Sequence, residues 1–147
     1  MKKQLIVIAS KNELPLVTEC FKGIPVLITG VGAINVIRSL SPIDRHTELI
    51  NIGYAGSPDF AIGQRIEIGI SKLHHKVQYD GDETFYLDGG GYVTCYTATD
   101  FVTETDKSRC VFDMELAFIC ALGFKSVRAF KTVSDHLNYK EYEQTAE

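Results

Sequence analysis

The stretch QLIVIA, residues Gln4 to Ala9, decides the fold class of this 147-residue chain. The run is almost continuously apolar and rich in β-branched residues, which is typical of a strand buried on both faces of a parallel sheet. Asn12 then offers a helix N-cap, and apolar residues recur at helical spacing from Leu14 to Phe21 until Gly23 closes the segment. The first 23 residues therefore predict a strand followed by a helix.

The same alternation continues along the chain. Further strands are predicted at residues 25–29, 48–52, 63–70 (with 77–79 extending it), 92–97 and 126–133, and helices at 33–40, 113–122 and from 138 to 147. Strands that alternate with helices predict an α/β fold with a central mixed sheet flanked by helices. A chain of this length fits one domain with one sizeable core, so we expect a single domain over residues 1–147.

Composition narrows the class of protein. Hydrophobic residues make up 45% of the chain and charged residues 23%, which are globular values. The net charge is −4, whereas nucleic-acid-binding proteins typically carry a cluster of basic residues. No apolar run approaches the roughly 20 residues that a membrane span needs, and no signal-peptide cleavage pattern follows the first strand. We therefore expect a cytoplasmic protein without nucleic-acid or membrane partners.

Metal and cofactor sites are not expected either. The four cysteines, Cys20, Cys95, Cys110 and Cys120, have no C-x-x-C spacing and no accompanying histidine array. Buried free thiols are the simpler interpretation.

Polar and glycine-rich segments follow several predicted strands, where ligands of open α/β sheets bind. Four segments follow strands and a fifth opens a helix: Ser10–Glu13, Gly30–Gly32, Gly53–Gly56, Ser134–Asp135 and Asp113–Glu115. Each has a simple structural explanation when taken alone, because glycines turn the chain and Ser, Asp and Glu cap or complement helix N-termini. Their common position nevertheless predicts that they converge.

In this order and context, the segments resemble the purine nucleoside phosphorylase and methylthioadenosine/adenosylhomocysteine nucleosidase family. The matching residues are Ala9–Glu13, Thr29–Gly32 with Asn35, Asn51–Gly56, Ile62–Gly63, Thr97–Val102, Phe112–Glu115 and Thr132–Asp135. The resemblance covers most of the chain. It implies a nucleoside phosphorylase-like fold, a homodimer or larger homo-oligomer, and cleavage of the N-glycosidic bond of a purine nucleoside such as methylthioadenosine or adenosylhomocysteine.

The resemblance also implies two catalytic residues. Glu13 matches the carboxylate that activates water, and Asp135 matches the group that holds or donates a proton at purine N7. The chemistry agrees, because cleavage creates an oxocarbenium-like sugar and an electron-rich leaving group, which calls for a base and an acid on opposite sides of the sugar. Asp135 acts as an acid at neutral pH only where burial raises its pKa.

The substrate-binding residues follow from the same resemblance. Glu115 would accept hydrogen bonds from the ribose hydroxyls and stabilise developing positive charge, with Met114 packing on the sugar. Phe101 would stack on the base, and the backbone of Val102 would contact it. The remaining predicted substrate-binding residues are Ala55, Gly56 and Ser134.

Two alternatives stay open. A phosphorylase needs an arginine-rich anion site, but none of the five arginines (Arg38, Arg45, Arg65, Arg109, Arg128) falls in the strand-end segments, which favours water as the nucleophile. A non-catalytic nucleoside-binding relative is the second alternative, because Tyr54 stands where the family usually has a small Ser or Cys. His74 or His75 either matches a histidine that a neighbouring subunit lends to the site or is a surface or packing residue.

Overall fold

The computed structural model describes residues 3–75 and 83–146. These residues form eight strands: β1 (Gln4–Ile8), β2 (Val26–Ile28), β3 (Glu48–Gly56), β4 (Arg65–Leu73), β5 (Thr84–Tyr86), β6 (Val93–Thr97), β7 (Cys110–Asp113) and β8 (Ser126–Asp135). They also form three α-helices: α1 (Ala33–Leu40), α2 (Leu116–Ala121) and α3 (Tyr139–Ala146). The predicted α/β class, with a central mixed sheet flanked by helices, is confirmed.

The sheet is mixed because it contains both parallel and antiparallel pairs of strands. β1 lies parallel to β2 and β3, and β8 also runs parallel to β3. β7 meets β3 in antiparallel orientation through the pair Gly56 and Phe112 and continues parallel to β6, which runs parallel to β4. Because β8 pairs with both β3 and β4, the strands β3, β7, β6, β4 and β8 close into a ring.

Alternating side chains of β1 supply two separate cores, as the period of a strand requires. Ile6 and Ile8 point to one face and pack with Ile50 and Ile52 of β3. Val7 points to the other face and joins a larger cluster that contains side chains of both α1 and α2. Both faces of β1 are therefore buried, which explains its continuous apolar run.

The predicted helix from Asn12 to Gly23 is wrong. Two 3₁₀ segments, Lys11–Leu16 and Glu19–Phe21, take its place, with Val17 extended between them. Leu16, Val17 and Phe21 still pack against the Ile6 and Ile8 face. The apolar spacing therefore indicated correctly that this segment packs against the core, whereas tertiary contacts determined its backbone conformation.

The predicted helix over 113–122 begins too early. Residues 110–113 form β7, all four of them buried between β6 and the end of β3. The Asp113 carboxylate accepts a hydrogen bond from the amide of Leu116 at 2.9 Å, so the helix starts after this cap. α2 ends near Gly123, whose φ of +81° is one that glycine adopts without strain.

Helix α1 has its predicted bounds, and the remaining predicted elements are observed with shifted ends. Strand β3 continues to Gly56 and β8 to Asp135, beyond their predicted ends. The strand extension at 77–79 lies outside the described residues. No helix in the described part of the chain has the length and apolarity to cross a membrane. All four cysteines are free, and Cys20 is exposed, contrary to its expected burial.

Candidate active site

A cavity of about 350 Å³ opens at the carboxyl ends of β1, β3 and β8. Its volume is within the usual range of about 300–1,000 Å³ for small-molecule sites. Its wall is built from loop, strand and helix residues: Ala9, Ser10, Glu13, Val31, Tyr54, Ala55, Gly56, Phe101, Phe112, Asp113, Met114, Glu115, Ser134, Asp135, Tyr139 and Tyr142. Four of them are carboxylates, and none is lysine or arginine.

Glu13 is fixed at the junction of two strands. Its Oε1 accepts a hydrogen bond from the amide of Ala9, and its Oε2 accepts one from the amide of Tyr54, each at 2.8 Å. The side chain is buried. Hydrogen bonds from two backbone amides fix the direction of the carboxylate. Lone pairs on the same oxygens remain available to accept a proton.

Glu115 lies at the N-terminus of α2, and its side chain contacts the glycine-containing loop that follows β2. Its Oε2 accepts a hydrogen bond from the amide of Gly32 at 2.9 Å. Burial, followed by the charge of Asp113, raises the pKa of Glu115 to about 7, against the opposing effect of Lys131 and the Gly32 amide. A carboxyl group with this pKa changes charge in the neutral range.

Asp113 and Lys131 form a buried ion pair beside Glu115. Lys131 Nζ lies 2.9 Å from Asp113 Oδ2, and their side chains are 1% and 0% exposed. The Thr97 hydroxyl donates to Asp113 Oδ1 at 2.5 Å. Burial alone would raise the pKa of Asp113, but Lys131 and Thr97 outweigh it and lower the pKa below its usual value. Of the two neighbouring carboxyl groups, Asp113 is therefore more readily ionised than Glu115.

Asp135 ends β8 and is 1% exposed. Its Oδ1 accepts hydrogen bonds from the amides of Leu137 at 2.9 Å and Asn138 at 3.3 Å, and its Oδ2 accepts one from the Ser134 hydroxyl at 2.7 Å. Burial raises the pKa of Asp135 despite these hydrogen bonds. The direction of this shift suits a group that must hold a proton.

An aromatic wall closes one side of the cavity. The Phe101 ring lies 5.4 Å from that of Tyr139, edge to face, and 6.0 Å from that of Tyr142. Phe101 belongs to the loop between β6 and β7, whereas both tyrosines belong to α3. This wall can receive a planar ring by stacking or edge contact.

The structure brings together eight of the nine predicted site residues. Glu13, Ala55, Gly56, Phe101, Met114, Glu115, Ser134 and Asp135 all line the main cavity. Val102 is absent from that wall and instead lines an adjoining pocket of about 40 Å³, together with Phe101 and Asp135. His75 is exposed, and the His74 ring packs edge-on against Phe112 at 5.4 Å.

Sequence reasoning missed several members of the site. Tyr139 and Tyr142 had no assigned role, because a polar helix at the end of the chain gives no sign of the surface it covers. Lys131 had a detectable signal, since it is a lone charge at a core-facing position of β8 between Ala129 and Val133. No group of three or more His, Cys, Asp or Glu residues within 3–75 and 83–146 is arranged to hold a metal ion.

Comparison with known proteins gives a structural match without a sequence match. No protein-family model matches the chain, and no curated protein matches it significantly by sequence. Many solved structures are similar to this chain. S-adenosylhomocysteine nucleosidase from Streptococcus pyogenes, in complex with 5-methylthiotubericidin, is 17% identical with a TM-score of 0.78, covering 97% of this chain and 89% of that chain.

Two further similar structures are a second nucleosidase and a futalosine hydrolase. The 5′-methylthioadenosine/S-adenosylhomocysteine nucleosidase from Neisseria meningitidis, in complex with methylthio-immucillin-A, is 17% identical with a TM-score of 0.76, covering 98% and 92% of the two chains. Futalosine hydrolase of Helicobacter pylori is 12% identical with a TM-score of 0.80, covering 99% and 91%. The chain therefore has the fold of the methylthioadenosine/adenosylhomocysteine nucleosidases and of futalosine hydrolase, the fold expected from its resemblance to the nucleoside phosphorylase family.

Proposed function

We propose that this protein hydrolyses the N-glycosidic bond of a purine nucleoside. The observation that carries the proposal is the meeting of Glu13, Glu115 and Asp135, from three distant parts of the sequence, on the wall of one cavity. All three are buried. Each carboxyl group has a different set of hydrogen-bond partners, so the three are suited to different tasks.

The proposed mechanism divides the work among these groups. Asp135, whose pKa burial raises, protonates or holds a proton at the purine ring, which makes the base a better leaving group. Glu13, held by two backbone amides, accepts a proton from the attacking water. Ionised Glu115 accepts hydrogen bonds from the ribose hydroxyls and stabilises positive charge on the sugar. Phe101 and the two tyrosines of α3 offer aromatic surface to the base.

Charge favours water over phosphate as the nucleophile. Phosphate sites are typically built from arginine or lysine together with backbone amides. Among the described residues that line the cavity there are four carboxylates and no lysine or arginine. An anionic nucleophile would meet these carboxyl groups without a cation on the cavity wall, because Lys131, the partner of Asp113, does not line the cavity, whereas water would not be repelled.

The size of the Tyr54 side chain is the feature that favoured a non-catalytic relative. Its side chain lines the cavity, and its amide donates to Glu13. The cavity keeps a volume of about 350 Å³ with the tyrosine in place. Its bulk therefore leaves space of the size that small-molecule sites have, which supports the binding of a nucleoside.

The candidate substrates come from the ligands and names of the similar structures, which point to a 5′-thio-substituted adenine nucleoside or futalosine. The direct test incubates the protein with methylthioadenosine, adenosylhomocysteine, futalosine, inosine and adenosine, each with and without phosphate. Release of free base without phosphate is the expected result. Release only with phosphate identifies a phosphorylase, and no release from any of the five contradicts the proposal.

We also propose that the protein forms a homodimer or larger homo-oligomer. Support comes from an apolar surface on α1 and the loop before it, where Val31, Ile34 and Ile37 are 50%, 72% and 48% exposed. Val31 also lines the cavity, so a second copy on this surface would reach the rim of the site. Light scattering at micromolar concentration tests this, and a monomer contradicts it.

A further inference from the structure

Among residues 3–75 and 83–146, Lys131 is the largest fully buried side chain, and the proposed hydrolysis assigns it no role. It lies on β8 with Val127, Ala129 and Val133, on the strand face that supplies the main apolar core. An ammonium group buried there is costly unless it is paired. Its ion-pair partner is Asp113, at 2.9 Å. The question is therefore what this pair does so close to the cavity.

The hydrogen bonds of Asp113 connect the pair to the start of α2. Asp113 Oδ2 accepts from the Leu116 amide at 2.9 Å, and Oδ1 accepts from the Thr97 hydroxyl. The Thr97 oxygen in turn accepts from the Ala117 amide at 2.9 Å. The first turn of α2 is thereby bonded to Asp113 and Thr97. Glu115 immediately precedes this turn, so the same contacts set the backbone that carries its carboxylate.

We propose that Lys131 is a positioning residue for Glu115: its buried ammonium holds Asp113, which anchors the start of α2 and sets the charge around the Glu115 carboxylate. This inference rests on the proposed function for its catalytic meaning. The electrostatic part does not depend on it, because the charges of Lys131 and Asp113 act on Glu115 in the absence of substrate.

The groups that face Glu115 come from four elements. Asp113 of β7 and Glu13 of the first 3₁₀ segment act against its ionisation, whereas Lys131 of β8 and the Gly32 amide favour it. Glu115 in turn acts on Tyr142 of α3. Lys131 is the cation in this group. Asp113 and Lys131 therefore have opposite effects on one carboxyl, although they are hydrogen-bonded partners.

Because Lys131 and Asp113 shift the titration of Glu115 in opposite directions, the two charges can be tested separately from any effect on folding. The carboxyl carbon of Glu115 is followed by ¹³C NMR against pH in the wild type, K131M, D113N and the double variant K131M/D113N. In K131M the carboxyl pair retains a proton to higher pH, and we expect the midpoint to rise by about one unit or more. In D113N, Lys131 acts on Glu115 without its partner, and the midpoint falls. In the double variant both charges are gone, and the midpoint lies between those of the single variants.

Activity supplies a second readout with methylthioadenosine as the probe. A midpoint one unit above 7 lowers the ionised fraction at pH 7 about fivefold, so kcat/KM of K131M falls by that factor and recovers as the pH rises. The conservative variant K131R keeps the cation and keeps the wild-type pH profile. The double variant guards against misfolding of K131M, because it leaves no unpaired buried charge.

The failures of the two proposals are distinguishable. If the wild type releases no base from any nucleoside, the proposed function fails, while the NMR midpoints still test the positioning role. Midpoints that stay unchanged in both single variants, or move in the same direction, overturn the role of Lys131 even when the wild type is active.

Discussion

Gly53 leaves the space that the Glu13 carboxylate occupies: a Cβ added at residue 53 would lie 2.5 Å from Glu13 Oε2. The same oxygen accepts a hydrogen bond from the amide of Tyr54, the next residue of β3. A side chain at position 53 would therefore displace the carboxylate from the two amides that hold it. The glycine of the strand-end motif is required by close approach, since it has no positive φ.

Gly53→Ala should move Glu13 out of place. We expect a loss of stability of about 1–3 kcal/mol, as for other overpacked interior sites, and a fall in kcat of about 10²-fold because a misplaced catalytic group is ineffective. Thermal unfolding and steady-state kinetics measure the two effects. The double variant Gly53→Ala/Glu13→Asp has a shorter acid and should unfold at a higher temperature than Gly53→Ala. Equal unfolding temperatures for the two would contradict the close contact.

Glu13→Gln tests the base. Both carboxylate oxygens accept backbone hydrogen bonds, so the amide group of glutamine would place N–H donors against an N–H donor. We expect kcat to fall about 10²–10⁴-fold and stability to fall by about 1–3 kcal/mol from the unsatisfied amide. Glu19→Gln, in the exposed second 3₁₀ segment, is the matched control and should change neither quantity. A Glu13→Gln enzyme with full kcat would remove Glu13 from the mechanism.

Asp135→Asn keeps the size of the side chain and removes the proton that the base would receive. We expect kcat to fall about 10²–10⁴-fold. Asp44→Asn, at an exposed position away from the cavity, is the control. Substrates with good leaving groups need less protonation, so the loss should be smaller for a nucleoside with an activated base. An equal loss for both substrates speaks against acid catalysis by Asp135.

The pH dependence of kcat/KM should report Glu115. Burial raises the pKa of Glu115 to about 7, and the proposed contact to the ribose hydroxyls needs the ionised form. Below this pH the group is protonated and the contact is lost, so kcat/KM should rise with pH through about 7. In Glu115→Gln the group no longer titrates, and this limb of the profile should disappear. A wild-type profile that is flat between pH 6 and 8, about one unit either side of the midpoint, excludes the assignment.

Phe101→Ala should weaken binding more than it slows the chemical step. Stacking of a base on an aromatic ring contributes about 1–3 kcal/mol, so we expect KM to rise roughly tenfold or more. Tyr86→Ala removes an aromatic ring of β5 that is 79% exposed and serves as the control. A change in kcat alone, with KM unaltered, would show that Phe101 does not bind the base.

Six of the eight strands were predictable because their signals are local. The continuous apolar run of β1 predicts that the strand is buried on both faces. The apolar residues of Ala33–Leu40 recur at helical spacing, and this segment forms α1. The sequence also predicted the positions of Glu13 and Asp135 after strands and of Glu115 at the start of a helix, because these polar segments flank apolar runs. Their roles came from the resemblance to a family and stay predictions.

Tertiary structure decided what local signals do not contain. The segment after β1 has helical apolar spacing but forms 3₁₀ turns, because Glu13 is held between the amides of Ala9 and Tyr54. β7 exists because β6 and the end of β3 supply its hydrogen bonds, from partners far away in sequence. The partner of Lys131 was not predictable, since a single charge in an apolar strand does not indicate which distant residue it pairs with; the folded chain brings Asp113 of β7 within 2.9 Å of it. The sequence by itself determined which segments are buried. Their conformation and the electrostatics of the cavity were decided by long-range hydrogen bonds and charge pairs, because only the folded sheet brings these partners together.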